Sequence, residues 1–418
     1  MGDWKYYRAI YNAPKANHKS PDFYASASFV GKPNIFQIVD TEQHAARRKL
    51  SAAPYSLQSM TRLETLVQAK AKVLVDRLIS EAAVSTTNAA DAFTLCGLFS
   101  FEVVCKAGFN MDFDSNVDGH ALSVLRAMDG SAATLIFDGL MPWLRPSGLA
   151  TKIPGPIGAA FRSREAWVAS SRQMVRQYLS QPHSRELDVS LLAPYKDGID
   201  GFLGRKLDQE EFVEEAMGIM FAGSGTTSTT LTYLLYALSL PKNQHVQTRL
   251  RQEVMDLDAT SDLATLRKAP YLNAVIKETF RLYPTIVSTL PRVLDEPLQV
   301  ENVQLPPGTV VGMQNYVHHR DPSLFPEPDA FRPERWLQST ADMEAALTPF
   351  SVGRRNCIGQ NLAWAELYIA VSKVFRHACL SLSDEMKDDD MEMEDRFNIA
   401  PKGRKLLLHV ASVANSAQ

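Results

Sequence analysis

The sequence predicts a mainly α-helical protein with small β-sheets. Seven stretches carry apolar residues at the three- and four-residue spacing of one helix face, whereas strand-like alternation is confined to short segments near residues 300–317 and 397–410. Turn-forming residues cluster between them, and no internal repeat is visible. Of the 418 residues, 45% are hydrophobic and 22% charged, the balance of an ordinary folded chain with material for a large core. The 47 acidic and 44 basic residues leave a net charge of −3, so charge offers no argument for nucleic acid or an anionic membrane surface.

Residues 1–40 are rich in Pro, Asn and Ser and lack a period, which predicts loops. Thr41 is the expected cap of a first helix carrying His44, Arg47, Arg48 and Leu50. A second helix is expected over 60–79, where Leu63, Leu66, Val67, Val73, Leu74 and Leu78 alternate with Lys and Arg, and a third over 89–109. Four prolines (Pro142, Pro146, Pro154, Pro156) make 141–157 a long irregular connection, followed by a helix over 163–180. Asp208 and Glu211 have capping-box spacing and open a long helix toward Leu240. A helix over 271–282 is ended by Pro284. Short strands and a turn around Pro306, Pro307 and Gly308 are expected over 300–317, and the last helix starts just after Cys357 and runs to His377. The acidic run 384–395 predicts a solvated loop, and 397–410 a terminal strand pair.

Cys96, Cys105, Cys357 and Cys379 show no CxxC spacing, which argues against a zinc cluster or a thioredoxin-like motif. The start, MGDWKYYRAI, lacks the apolar core of a signal peptide, so free thiols in a reducing, intracellular compartment are expected. No window reaches the roughly 18 consecutive apolar residues of a membrane-spanning helix. The best, 231–240, is too short.

Four constellations carry chemistry. In Phe350-Ser-Val-Gly353-Arg354-Arg355-Asn-Cys357-Ile-Gly359 a cysteine lies between two glycines, just before a helix. Unpaired N–H groups at the helix start, with Arg354 and Arg355, would favour its thiolate, and the glycines would allow a tight turn and close approach of a flat ligand. The bland alternative is a buried cysteine behaving as a small hydrophobe. Glu278 and Arg281, three apart on a helix, can form a fixed ion pair, although most such pairs are solvated. Ala222-Gly223-Ser-Gly225-Thr226-Thr227 places two glycines mid-helix at about 1 kcal/mol each relative to Ala; close helix packing explains this as well as a distorted helix over a ligand does. His44 and Arg48 share a helix face and can serve one anion, or can form an exposed basic face. The methionines read as core filling, not as axial ligands.

Together these motifs resemble the cytochrome P450 family over nearly the whole chain. The cysteine loop matches the pattern FxxGxRxCxG at every fixed position, a chance match on the order of one in ten thousand for such a chain. The resemblance implies a single catalytic domain over 1–418, with an irregular start at 1–40, a core at 41–410 and a tail at 411–418. It implies haem b (iron protoporphyrin IX) bound through the Cys357 thiolate, with His44, Arg48, Arg292, Phe350, Arg355 and Gly359 around the cofactor. Glu278 and Arg281 take the place of the ExxR pair, locked by Arg335 of Phe331-Arg-Pro-Glu-Arg335-Trp336 in a structural role. Thr226, with Thr227 beside it, takes the place of the threonine of AGx(D/E)TT, whose hydroxyl helps deliver protons during dioxygen activation. Gly225 stands where that pattern has an acid.

The family implies a monooxygenase that takes electrons from NADPH through a separate NADPH–cytochrome P450 reductase and puts one oxygen atom of O2 into a lipophilic small molecule. Met220, Ala222, Val287, Ser288 and Leu290 are the implied substrate contacts, joined by the stretch near Trp143 and Leu144 and the turn near Ile399. The motif style, including His319-Arg-Asp-Pro322, resembles eukaryotic members of secondary-metabolite biosynthesis. Microsomal members sit on the endoplasmic reticulum by an anchor helix, and this chain is expected to lack that region. Two further classes share the cysteine loop: a haem-thiolate isomerase or dehydratase, against which Thr226 argues, and a non-catalytic haem-binding remnant. Dependence of turnover on a reductase separates the first from a monooxygenase, and turnover by the haem-loaded protein excludes the second.

Overall fold

A computed structural model describes residues 2–12, 17–113, 119–182 and 189–413; the tail from 414 onward lies outside them. Its longer helices are α1 (Thr41–Ser51), α2 (Leu57–Val84), α3 (Ala92–Phe109), α4 (His120–Ser131), α5 (Gly155–Ser180), α6 (Gln209–Ser239), α7 (Gln244–Asp256), α8 (Pro270–Leu282) and α9 (Gln360–His377). One continuous apolar cluster, from Tyr55 to Leu408, takes buried residues from α2, α3, α6, α8 and α9. Each fully buried Leu, Val or Phe there contributes roughly 1.5–3 kcal/mol relative to its exposed state.

Local chemistry sets where the helices begin. α1 is capped by Asp40, one residue earlier than expected, because the Asp40 carboxylate accepts the Gln43 N–H at 2.7 Å. α6 opens on the expected capping box: Asp208 accepts from Glu211 N at 2.8 Å, and Glu211 accepts from Asp208 N at 2.7 Å. α2 buries Met60, Val67, Ala71, Leu74, Val75, Leu78 and Ala82 as one stripe. α3 alone is long and apolar enough to cross a membrane among the described residues, but 78% of it is buried inside the protein, as a core helix.

The strands are β1 (His18–Lys19), β2 (Ala89–Asp91), β3 (Arg292–Val293), β4 (Leu298–Val300), β5 (Val303–Leu305), β6 (Val310–Val311), β7 (Ala378–Leu382), β8 (Met393–Arg396), β9 (Asn398–Pro401) and β10 (Leu407–Ser412). They form two three-stranded sheets, β1-β3-β6 and β2-β10-β7, and two hairpins, all antiparallel.

Several expectations are corrected here. The first forty residues contain helix Tyr7–Tyr11, helix Pro21–Tyr24 and β1, and β1 gains its strand partner only from Arg292 and Val293, far along the chain. Residues 89–91 are a strand because they pair with β10, and Asn315–His318 is a helical turn. The strands within 397–410 do not pair with each other: β9 pairs with β8, and β10 with β7 and β2. The acidic run is not simply solvated either. Lys402 bonds Asp389 at 3.0 Å and Glu392 at 3.1 Å, Asp390 is buried, and β8 begins inside the run.

Candidate functional site

Cys357 lies in the loop between the turn Gly353–Arg355 and α9, with its N–H bonded to Phe350 O at 2.9 Å. Gly353 has φ +76°, and a Cβ there would sit 2.4 Å from Tyr11 O, so the loop needs glycine at this point. Gly359 has an ordinary φ of −83°, and its added Cβ would meet only the Cys357 sulfur, at 4.0 Å. Its missing side chain therefore gives open space beside the sulfur, not a turn. Phe350 is set edge-on to Phe280 with ring centroids 5.2 Å apart, and Phe280 in turn meets Trp364 of α9 at 5.1 Å.

The Cys357 side chain is exposed, yet burial is the main influence on its thiol. Both hold because the sulfur faces space inside the protein and not bulk water. Burial pushes the thiol above its ordinary range, offset in part by the Gly359 N–H and by Arg48. The expected thiolate stabilisation by Arg354 and Arg355 is thus corrected. Arg354 is exposed, and Arg355 donates to the carbonyls of Ile38 at 2.5 Å, Val39 at 2.7 Å and Asp40 at 3.2 Å. A metal cation at the sulfur is the agent that would release its proton.

Beside this loop lies a cluster of basic side chains. Arg48 donates to Asn356 O at 2.6 Å and to Asn356 Oδ1 at 2.8 Å, fastening α1 to the residue before the cysteine. His44, one turn earlier, is buried. Arg292 on β3 is buried, its Nε unpartnered among the described residues and its guanidinium 5.5 Å from the Tyr11 ring. Lys19, directly opposite Arg292 in the β1–β3 register, donates to Phe36 O and stands over the rings of Tyr24 at 4.2 Å and Phe36 at 4.4 Å. Burial, then Arg292 and Arg355, push the Lys19 amine well below its usual range; burial, then Arg355 and Lys19, lower His44 to about 3. Arg355 is lowered to about 10 by burial and by Arg292.

Among the described residues no Asp or Glu bonds to Lys19, His44 or Arg292. Such a cluster is costly until an anion joins it. Lys19 was not foreseen. In sequence it is one lysine in an aperiodic segment, and only the strand pairing brings it to Arg292.

Above this loop the long helix carries the small-residue run. Gly223 serves packing, since a Cβ there would lie 2.6 Å from Val104 of α3. Ala222 is exposed and Thr226 half-buried in the middle of a helix whose Met217, Met220 and Leu231 are fully buried. That accessible strip therefore faces interior space. The Thr226 hydroxyl donates to Ala222 O at 2.8 Å, while Thr227 is buried on another side. Val287, Ser288 and Leu290 are half-buried, and Leu290 O accepts from Tyr11 OH at 3.0 Å. Met220, 0% exposed, does not reach that strip, and neither Leu144 nor Ile399 presents more than an edge.

Behind the cysteine loop, Glu278 and Arg281 are both 0% exposed and joined by two bonds, Arg281 Nε to Oε2 at 2.9 Å and Nη2 to Oε1 at 2.8 Å. Arg335 adds a third contact to Glu278 at 3.2 Å. Arg281 also donates to the carbonyls of His319, Pro328 and Ala330. This is a buried lock, as the family resemblance implied and not the solvated pair that the spacing alone would allow.

The residues present fit an iron porphyrin. A sulfur donor faces interior space, unpaired buried cations call for carboxylates, Gly359 leaves room beside the sulfur, and a helix strip of small residues is accessible inside the core. The resident histidines add a measurable consequence for the haem-free chain. His44, His318 and His319 are held neutral, at about 3, about 4 and well below normal, mainly by burial. Their folded values lie below the unfolded value near 6.5, so the unfolded chain binds more protons on acidification. Stability is therefore expected to fall as pH drops from 6.5 to 5, by up to about 1.4 kcal/mol per pH unit for each histidine. Glu215, raised to about 7 by burial, opposes this, as do Glu366 and Glu81, also raised by burial, while His377, lowered by burial, adds to it, so four histidines act against three carboxyls. Urea midpoints at the two pH values check it; equal midpoints would contradict the neutral, buried histidines.

Comparison with known proteins agrees with this geometry. A cytochrome P450 monooxygenase of Aspergillus terreus, tazI, is 30% identical over 93% of this chain and 79% of its own length. The N-acetyltryptophan 6-hydroxylase ivoC of Emericella nidulans is 29% identical over 96% of this chain and 80% of its own. The solved structure of retinoic acid-bound cyanobacterial CYP120A1 superposes with a TM-score of 0.80 at 19% identity, covering 99% of this chain and 88% of that one. The family model described as Cytochrome P450 matches residues 4–408, and with the relatives it shows that the chain belongs to the cytochrome P450 family, whose haem is held by a cysteine thiolate.

Proposed function

We propose that this chain is a single-domain haem-thiolate monooxygenase that inserts one atom of O2 into a lipophilic small molecule, by hydroxylation or epoxidation, in secondary-metabolite biosynthesis. The observation that carries the reading is the accessible Cys357 sulfur facing interior space. Bound haem supplies the oxygen-activating chemistry. The chain's own residues do the rest. Cys357 would hold the haem iron through its sulfur, and its thiolate would enrich the metal in electron density. Arg292, His44 and Lys19 would meet the two propionates, with Arg48 and Arg355 holding the loop and the preceding segment in register. Thr226, its hydrogen resting on Ala222 O, keeps oxygen lone pairs free to accept a proton and pass its own onward. Ala222, Val287, Ser288 and Leu290 would shape an apolar space that excludes water and orients substrate.

Electrons would come from NADPH through NADPH–cytochrome P450 reductase, at the endoplasmic reticulum surface where family members of this type work. The 6-hydroxylase activity in the name of ivoC supports hydroxylation as the reaction type. Turnover of extracts under 18O2 tests the reading: one labelled oxygen per product molecule, dependent on reductase and NADPH, is expected. Product formation with neither reductase nor O2 would point instead to a haem-thiolate isomerase.

The cation cluster carries its own prediction. Lys19→Met removes one buried charge of comparable length, and Arg292→Leu the other. Each charge-assisted bond to a propionate contributes roughly 1.5–3 kcal/mol, so haem affinity is expected to fall about tenfold or more in each variant. Haem titration of the apoprotein measures it. Without haem both variants should be at least as stable as the parent, because mutual repulsion is relieved; a loss of stability with unchanged haem affinity would overturn this placement of the anion.

A further inference from the structure

We infer that Asn398, reaching in from the β8–β9 hairpin, is the positioning residue that orders the water feeding protons to Thr226, in the place where the family pattern has an acid at 225. This deepens the monooxygenase reading and rests on it.

Gly225 leaves the helix without a side chain at that point. A Cβ built there would lie 2.7 Å from Asn398 Nδ2 and 3.8 Å from its Cγ. The Asn398 amide therefore occupies the space into which an acid at 225 would extend. Its neighbours hold it there. Phe397, with φ +79° at the hairpin turn, packs on Phe221 with centroids 6.2 Å apart. The Thr229 hydroxyl donates to Ile399 O at 3.1 Å, and Ile399 N–H to Thr285 O at 2.8 Å. Asn398 Oδ1 is buried without a partner among the described residues, a costly state that a water relieves. Gly225, Ser228, Thr229 and Asn398 line one cavity of about 380 Å³, room for several waters, on the helix face next to the one that carries Thr226.

An amide is not an acid, and its service here is orientation. Oδ1 accepts from one water and Nδ2 donates to another. An ordered water gives a proton to Thr226 Oγ1 as that hydroxyl passes its own onward toward the site of dioxygen reduction. The next water in the cavity then restores the first. No electron travels this route; NADPH and the reductase supply them. When the protons arrive in order, O2 takes four electrons and four protons to two waters in the absence of substrate. When they do not, two of each leave it as hydrogen peroxide.

The test uses purified holoprotein, reductase and NADPH without added substrate, and reads hydrogen peroxide formed per NADPH consumed. Asn398→Leu removes the amide, and Gly225→Ala displaces it by contact while favouring the helix. Each is expected to raise the ratio at least twofold, and the double variant no further than either single one. Gly225→Asp combined with Asn398→Ala, which returns an acid to the vacated space, is expected to bring the ratio back toward the parent's. Melting temperature is the structural control, since Gly225→Ala should melt no lower than the parent while its ratio rises. Equal ratios in the parent and both single variants overturn the role of Asn398. A parent without the thiolate band in its reduced carbon monoxide spectrum overturns the functional reading itself, before any variant is compared.

Discussion

Cys357→His is expected to abolish the red-shifted band that the reduced parent gives with carbon monoxide, and to take monooxygenase turnover with it. The shift depends on thiolate ligation of the iron, and imidazole supplies neither its charge nor its electron donation. No other cysteine can stand in. Cys96 and Cys105 are buried within α3, where burial pushes the first thiol up to about 12 and the second well above its usual range. Cys379 lies on β7, in register with Ala411 of β10 and past the far end of α9 from the haem-side loop. The loop itself should survive the change, because its geometry rests on Gly353, on the Cys357 N–H bond to Phe350 O and on the Arg48 clamp to Asn356, none of which uses the sulfur. Haem content measured by pyridine haemochrome separates lost ligation from lost folding. Cys379→Ser should keep the band; a band that persists in Cys357→His would remove this sulfur from the site.

How much of this was legible in the sequence depends on where each residue finds its partner. The capping box of α6, the apolar stripe of α2 and the Glu278–Arg281 pair are settled within four residues along the chain, and each forms as its spacing implies. The cysteine loop was legible for the same reason. What the loop's charges do was not: Arg355 turns to the carbonyls of Ile38–Asp40, more than 300 positions earlier, and leaves Arg48 as the cation nearest the sulfur in effect. Lys19 and Asn398 carry no local signal at all. One becomes part of a cation cluster through two residues of strand pairing, and the other reaches Gly225 through a hairpin whose pairing partner lay inside what looked like a solvated acidic run. Gly223 and Gly225 show the limit most sharply. They are two residues apart with the same helix cost, yet one admits Val104 of α3 and the other admits an amide from the far end of the chain.

Glu278→Ala is expected to be the most damaging single substitution for folding, by about 3–5 kcal/mol. The carboxylate accepts five bonds. Oε1 takes Arg281 Nη2 at 2.8 Å, the Arg332 N–H at 2.8 Å and Arg335 Nε at 3.2 Å; Oε2 takes Arg281 Nε at 2.9 Å and Trp336 Nε1 at 2.8 Å. Removing it leaves the Arg281 guanidinium fully buried with only carbonyl oxygens for company, and strands a main-chain N–H and an indole N–H in the same place. An uncompensated buried charge is what makes such a deletion severe, far more than the loss of attraction between the pair. The proper control sits close by. Glu334 meets Arg249 at 3.3 Å with both side chains substantially exposed and accepts from Tyr271 OH at 2.6 Å, so Glu334→Ala should cost no more than about 2 kcal/mol. Because Arg281 is the stranded group, Glu278→Ala combined with Arg281→Met should recover part of the loss, whereas Arg335→Met alone, which leaves Glu278 its two bonds from Arg281, should cost less than either of those single changes. Guanidinium midpoints for the set decide the matter: a Glu278→Ala chain as stable as Glu334→Ala would mean that the three-membered lock does not hold the haem-side core together.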